Sequence, residues 1–237
     1  YYLVPVKYKN PVLFFGSLVF YAMGSWKDAL LLLFSMSLNY ILVLLMDHIR
    51  RKSSRNTMLV ILLCYNIGLL CIFKYTRLSL PLGISFYTFQ VLGYSIDVYR
   101  ETVKAEQNFL DFALFVSFFP QLTSGPIGRA DALLPQFHRE RSFCYENVAE
   151  GLRIMLLGFF KKIVIADNIG IAVNRMFTYL DVFPGPVLLY GIVLYAMQVY
   201  CDFSGYSDIA VGAAKVMGFD LTRNFDHPYF SETISAF

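Results

Sequence analysis

Charge-free stretches of membrane-spanning length, separated by short polar turns, set the rhythm of this 237-residue chain. Residues 10–26, 29–46, 56–73, 78–96, 112–128 and 182–201 contain no Asp, Glu, Lys or Arg. Each is close to the ~20 residues that a helix needs to cross a hydrocarbon core about 30 Å thick. They lack the alternating hydrophobicity that marks the ~10-residue strands of a membrane barrel. Pro11, Pro81, Pro135, Pro184, Pro186 and Pro228 lie near the ends of these runs or between them, where a missing N–H costs little. The pattern predicts an all-α, polytopic transmembrane protein with about seven membrane-embedded helices. Residues 1–237 read as one transmembrane domain without internal repeats, expected to be incomplete at the C-terminus and, because the chain opens on Tyr1 rather than Met, at the N-terminus.

Two segments depart from plain apolar helices. Residues 112–128, FALFVSFFPQLTSGPIG, are apolar for eight residues and then turn through Pro120, Gln121, Thr123, Ser124, Gly125 and Pro126, so a straight spanning helix is not expected there. Irregular backbone at membrane depth is tolerated only against protein or a cavity, which makes the segment either a cavity wall or re-entrant loop, or an interfacial loop at a helix end. Residues 147–168 form an apolar helix interrupted by charge. At ~100° per residue, Asn147, Glu150, Arg153, Lys161 and Asn168 share a stripe about 120° wide. Such a helix lies either along the headgroups, its Lys and Arg snorkelling to water, or beside a polar chamber.

The most informative segment is residues 195–218, YAMQVYCDFSGYSDIAVGAAKVMG, a helix-length apolar stretch that carries Asp202 and Asp208. A carboxylate at the bilayer centre costs roughly 2.5 to 3.5 kcal/mol on insertion scales and therefore faces protein or water. Gln198, Asp202 and Gly205 stack on one face at i, i+4 and i+7, while Ser204, Asp208 and Lys215 fall on another. Small residues also let membrane helices approach closely, so helix packing explains part of this composition as well as a polar site does.

Composition agrees with the membrane setting: 57% of residues are hydrophobic and 16% charged, against about 25% charged in soluble domains. The net charge of +3 is too small to argue for nucleic acid, and its distribution says more. Arg50, Arg51, Lys52 and Arg55 crowd one loop. The positive-inside rule makes that loop cytoplasmic, which puts Lys7 and Lys9 on the same side and the Trp26 turn outside. The cluster reads first as a topology signal and second as a lipid-headgroup site. Cys64, Cys71, Cys144 and Cys201 have no CxxC spacing and read as buried small apolar residues. No GxSxG, GxxxxGK[ST], HExxH or GxGxxG motif occurs, and no metal site is expected. His48, His138 and His227 lie at a helix end, in a charged loop and before Pro228, outside the apolar runs where a desolvated base would sit.

The motifs gain weight in series. LPLGISFYTFQ from Leu80, IDVYR from Ile96, FFPQL from Phe118 with Gly125, Pro126 and Ile127, GFFKK from Gly158 with Ala166, Asp167 and Asn168, QVYCDFSGYSD from Gln198, and Asn224-Phe225 with Pro228-Tyr229 follow one another. This order resembles the membrane-bound O-acyltransferase (MBOAT) family. The resemblance is to the bacterial alginate O-acetyltransferase branch more than to the D-alanine transferase branch; it is close over residues 80–237 and rests on the helix pattern alone before them.

The resemblance implies a helical ring around a thin central funnel. A cytoplasmic acyl donor, acetyl-CoA or another acyl thioester, would acylate hydroxyls of an exported or cell-surface polysaccharide, directly or through an extracytoplasmic acceptor protein. It also implies a multi-pass cell-membrane location and no bound cofactor. A base of near-neutral pKa is needed because a hydroxyl is a poor nucleophile until its proton is removed. The family's histidine is expected in a Trp-His motif downstream of Asn224 to Tyr229, so none of the three histidines takes that role, and the chain by itself is expected to be inactive. Gln121, Ser124, Gly125, Pro126, Gln198, Asp202, Ser204, Tyr206, Asp208 and Asn224 are the expected chamber-lining residues. A transporter or flippase would also bury carboxylates and use a broken helix, although inverted repeats are missing. A non-catalytic scaffold of a polymer-export complex would keep the helices and lack the histidine.

Overall fold

The computed structural model describes residues 1–123, 125–222, 224–225 and 228–233, and among these the regular structure is helical, without a strand. The chain divides into two compact units, Tyr1–Thr123 with Ile127–Phe143, and Ser124–Pro126 with Cys144–Phe237.

The first unit contains α1 (Val6–Ala22), α2 (Trp26–His48), α3 (Lys52–Tyr75), α4 (Ile84–Tyr99), α5 (Phe109–Ser117), the single turn α6 (Phe119–Leu122) and α7 (Ala130–Phe137). Ser25 starts α2, its Oγ accepting from the Asp28 amide at 3.3 Å, and Asn108 does the same for α5, accepting from Leu110 at 3.0 Å. α2 and α3 are both long and apolar enough to cross a membrane. α1 and α4, at 17 and 16 residues, are shorter. The run at 78–96 loses length because residues 78–83 turn through Pro81 into Gly83, which caps α4 at φ 69°; a Cβ there would lie 2.3 Å from the Leu122 carbonyl oxygen.

α2 turns Leu30, Phe34, Ile41 and Leu45 outward, each about half exposed. A soluble protein would hide such a stripe; lipid accommodates it. α3 is similar, and Cys64 and Cys71 lie on its exposed face. The expectation of four buried cysteines therefore holds only for Cys201, with Cys144 half-buried; a thiol is apolar enough to sit on an outward membrane face as well as in a core.

Inside the unit, Asn39 of α2 and Asn66 of α3 are buried and exchange side-chain hydrogen bonds: Asn66 Nδ2 donates to Asn39 Oδ1 at 2.7 Å, and Asn39 Nδ2 to Asn66 Oδ1 at 3.2 Å. Each amide also donates to a carbonyl four residues back in its own helix. This is the interhelical amide pairing that links helices where apolar side chains gain nothing over lipid.

The break expected within 112–128 is present. α5 stops at Ser117, and Phe118 turns the chain before Pro120. The Phe119 amide, which a continuing helix would give to the Phe115 carbonyl, goes to Ser17 Oγ at 3.2 Å. The freed Phe115 carbonyl accepts from Gln90 Nε2 at 2.8 Å and Gln121 Nε2 at 2.7 Å. Two buried glutamines thus complete a helix end that the turn before Pro120 leaves open.

Replacing Asn39 by Leu strands the Asn66 amide. The full-length protein in detergent should lose about 1 to 2 kcal/mol in an unfolding titration, and the Asn39→Leu/Asn66→Leu double variant should regain most of it. A double variant as destabilised as the sum of the singles would show that the amides act independently.

Candidate functional site

The second unit contains α8 (Tyr145–Phe159), a π-helical segment (Phe160–Ala166), α9 (Asp167–Thr178) and the 32-residue α10 (Gly185–Val216). α8, the π segment and α9 follow one another without a loop. α10 carries the polar stretch singled out in the sequence and is also long and apolar enough to span a membrane.

α8 and α10 meet backbone to backbone at two glycine pairs. A Cβ on Gly158 would lie 2.7 Å from the Gly205 carbonyl oxygen, and one on Gly212 would lie 2.5 Å from that of Gly151; the reciprocal additions fail equally, at 2.8 and 2.7 Å. Gly151 faces Gly212 and Gly158 faces Gly205, so the helices run antiparallel. Close approach through small residues is how membrane helices gain packing energy without a hydrophobic driving force. The packing explanation weighed for this stretch accounts for Gly205.

That approach puts the π segment against the carboxylates of α10. Lys161 Nζ lies 2.6 Å from Asp208 Oδ2. Lys162 Nζ lies 2.8 Å from Asp202 Oδ1 and 2.7 Å from Asp167 Oδ1. Two ammonium groups therefore meet three carboxylates, leaving the cluster one negative charge. Aromatic rings complete it, with Lys162 Nζ 5.5 Å from the centre of the Tyr206 ring and Lys161 Nζ 6.0 Å from that of Tyr200. Farther along α10, Lys215 bridges Asp220 at 2.8 Å and Glu150 of α8 at 3.7 Å. The costly carboxylates are thus satisfied by cations from a neighbouring helix, the arrangement that makes them tolerable in an apolar setting. The lysines carry the site as much as the aspartates do, although the sequence reading had set them among the interruptions of an amphipathic helix.

Gln198 extends the same face. Its side-chain amide packs on Gly170 of α9, where a Cβ would come within 2.9 Å of Nε2, and its Oε1 is buried without a hydrogen-bond partner among the described residues. Ser204 is fully buried, and its Oγ likewise has no partner among them. The segment after α10 folds back on it: Tyr229 donates its hydroxyl to the Ala196 carbonyl at 2.7 Å, and the Phe225 ring packs on Tyr200 and Phe203. Asn224, beside that ring, is exposed. Gln121 belongs to the first unit, where its Oε1 is buried and unpaired beside Gly128. Gly125 and Pro126 are buried and group with the second unit, whereas Ser124 lies outside the described residues.

His48 sits exposed at the end of α2 with Nδ1 2.8 Å from the Leu44 carbonyl oxygen, and His227 lies outside the described residues. His138 follows α7, its Nε2 3.3 Å from Asp111 Oδ2 and 3.6 Å from Glu106 Oε2. Asp111 is buried and accepts from Asn10 at 2.8 Å and Asn108 at 2.7 Å. This cluster joins α1, α5 and α7, which a reading of His138 as a loop residue had not anticipated.

No family model matches the chain. Over its whole length, however, it is 36% identical to the probable alginate O-acetylase AlgI of Pseudomonas aeruginosa, covering 50% of that protein. It is 33% identical, again over its whole length, to the peptidoglycan O-acetyltransferase of Helicobacter pylori, covering 54% of that protein. The chain belongs to the membrane-bound O-acyltransferase family. The teichoic acid D-alanyltransferase of Bacillus subtilis is a more distant relative, 28% identical over 66% of the chain and covering 40% of its own length. The MBOAT likeness extends through residues 1–79, where only the helix pattern had been expected to match. The chain spans about half the length of the first two of these relatives.

In this MBOAT chain, Gly158→Leu forces α8 away from α10 and separates Lys161 and Lys162 from Asp208 and Asp202 of α10. The full-length protein should lose at least about 2 kcal/mol, in the range of overpacked cores. Gly93→Ala, which meets nothing within 4 Å, should leave the melting temperature unchanged or slightly raised. Equal melting of the two variants would contradict the backbone contact.

Proposed function

We propose that the intact protein transfers an acetyl group from a cytoplasmic thioester, such as acetyl-CoA, to hydroxyls of an exported or cell-surface polysaccharide. In this reading it is a multi-pass protein of the cell membrane with the Arg50 to Arg55 loop on the cytoplasmic side, and it works with an extracytoplasmic acyl-accepting polysaccharide or protein. The acceptor oxygen attacks the thioester carbonyl, the C–O bond forms as the C–S bond breaks, and the hydroxyl proton passes to a base while the thiol departs. No histidine in this chain is assigned as that base.

The observation that carries the reading is the pairing of Lys161 and Lys162 with Asp208 and Asp202 beside two buried oxygens, Gln198 Oε1 and Ser204 Oγ, that have no protein partner among the described residues. Buried polar atoms are rarely left unpaired, so each of the two oxygens keeps an unused hydrogen-bonding position on this face of α10. Asp202 holds Lys162, and Lys162 stands against Tyr206. Their work is to keep a polar wall in one geometry where hydrocarbon would collapse it, and to leave proton transfer to another group. Family membership supplies the reaction class, because relatives matched along the whole chain are named for O-acetylation of alginate and of peptidoglycan.

Asp202→Asn removes the α10 carboxylate from Lys162, leaving it to Asp167 alone, and keeps the shape. Acetyl ester content of the surface polysaccharide, measured in cells with normal levels of the full-length variant, should fall about tenfold or more, equivalent to ~1.4 kcal/mol. Asp202→Glu should recover part of the loss. Unchanged acetylation in the Asn variant would remove this face of α10 from the reaction.

A further inference from the structure

The basic loop between α2 and α3 is more than a string of charges, because it opens into a cavity of about 430 Å³ lined by Arg50, Lys52, Arg55, Tyr99 and Glu101. The floor of this cavity is tied by hydrogen bonds. Arg55 is largely buried, pairs with Glu101 through Nη1 and donates from Nη2 to the Val98 carbonyl at 2.8 Å. Its guanidinium lies 5.7 Å from the centre of the Tyr99 ring, and the Tyr99 hydroxyl donates to Asn56 Oδ1 at 2.6 Å. Glu101 is the acid among the lining residues, and it is turned to Arg55. Arg50 and Lys52 are exposed and have no hydrogen-bond or ion-pair partner among the described residues. Three cations against one carboxylate leave the lining with a charge of +2. α3 begins at Lys52 with no acid in its first turn and no capping side chain, so its first amides add to the same potential.

We propose that this cavity binds the phosphate of an anionic phospholipid headgroup. The loop joins two helices that are each long and apolar enough to span the membrane, so it emerges at headgroup level. The fixed Arg55 and Tyr99 shape the pocket, while the unpaired Arg50 and Lys52 supply donors to phosphate oxygens. A soluble phosphate ester shares the recognised chemistry, but position beside two spans favours the lipid. The proposal is independent of the acyl-transfer reading and is tested by binding alone.

The full-length protein is placed in nanodiscs of phosphatidylglycerol and phosphatidylcholine, transferred to detergent, and examined for retained lipid by native mass spectrometry. Phosphatidylglycerol should be held in preference to phosphatidylcholine. Arg50→Ala/Lys52→Ala should weaken that retention on the order of 30-fold, each basic side chain at an anionic surface being worth a factor of about five. The charge-keeping pair Arg50→Lys/Lys52→Arg should retain it. Equal retention of both lipids, or unchanged retention in the alanine pair, overturns the site. A parallel titration with inorganic pyrophosphate separates the two sources: displacement of retained phosphatidylglycerol supports the headgroup site, whereas tight pyrophosphate binding without phosphatidylglycerol retention assigns the cavity to a soluble phosphate ester and overturns the lipid.

Discussion

Hydrocarbon offers no partner to a dipole or a charge, so each polar side chain placed among apolar helices must find its complement within the protein. Pairings meet much of this constraint in both units, while Gln121 Oε1, Gln198 Oε1 and Ser204 Oγ stay without a partner among the described residues. Asn39 and Asn66 exchange amide hydrogen bonds, Gln90 and Gln121 share one orphaned carbonyl, and Lys161 and Lys162 answer Asp208 and Asp202. Removing one member of such a pair leaves the other stranded, which costs more than the pair contributes when intact.

In the second unit the pairing depends on distance between backbones. Gly151, Gly158, Gly205 and Gly212 let α8 and α10 touch at their main chains, and only then can the neighbouring lysines reach across. The same closeness explains why α10 combines small residues with acids. The small residues bring the helices together, and the acids are affordable because the cations arrive with the partner helix. Packing and polar function are two results of one arrangement here, so weighing them as rivals for each residue separated what the fold joins.

Much of this could be read in the chain. The apolar runs at 29–46 and 56–73 became α2 and α3, the Pro120 break fell where proline chemistry put it, and the stack of Gln198, Asp202 and Gly205 meets α9, the π segment and α8 in turn. The partners were hidden, because helical periodicity describes one helix at a time. Lys161 is 47 positions from Asp208 and Asn39 is 27 from Asn66, and nothing in a local pattern marks either as a pair. Gln198 and Ser204 were recognisable as polar, yet their lack of partners is a property of the packed neighbourhood rather than of their identity.

The π segment between α8 and α9 works as a phase corrector. On an unbroken α-helix, Gly170 would be displaced by about 120° from Gly158, twelve residues earlier, and would point away from α10. An i→i+5 ladder takes up one extra residue, equivalent to about 100° of rotation, and brings Gly170 back to within about 20° of the original direction. Gly170 accordingly meets Gln198, and one side of the composite helix follows α10 from Gly151 to Gly170. Replacing the π turn by plain α-helix at constant length would thus rotate α9 by more than a quarter of a circle, whereas deleting one residue together with the turn would leave Gly170 facing α10, so the π turn and its extra residue stand or fall together.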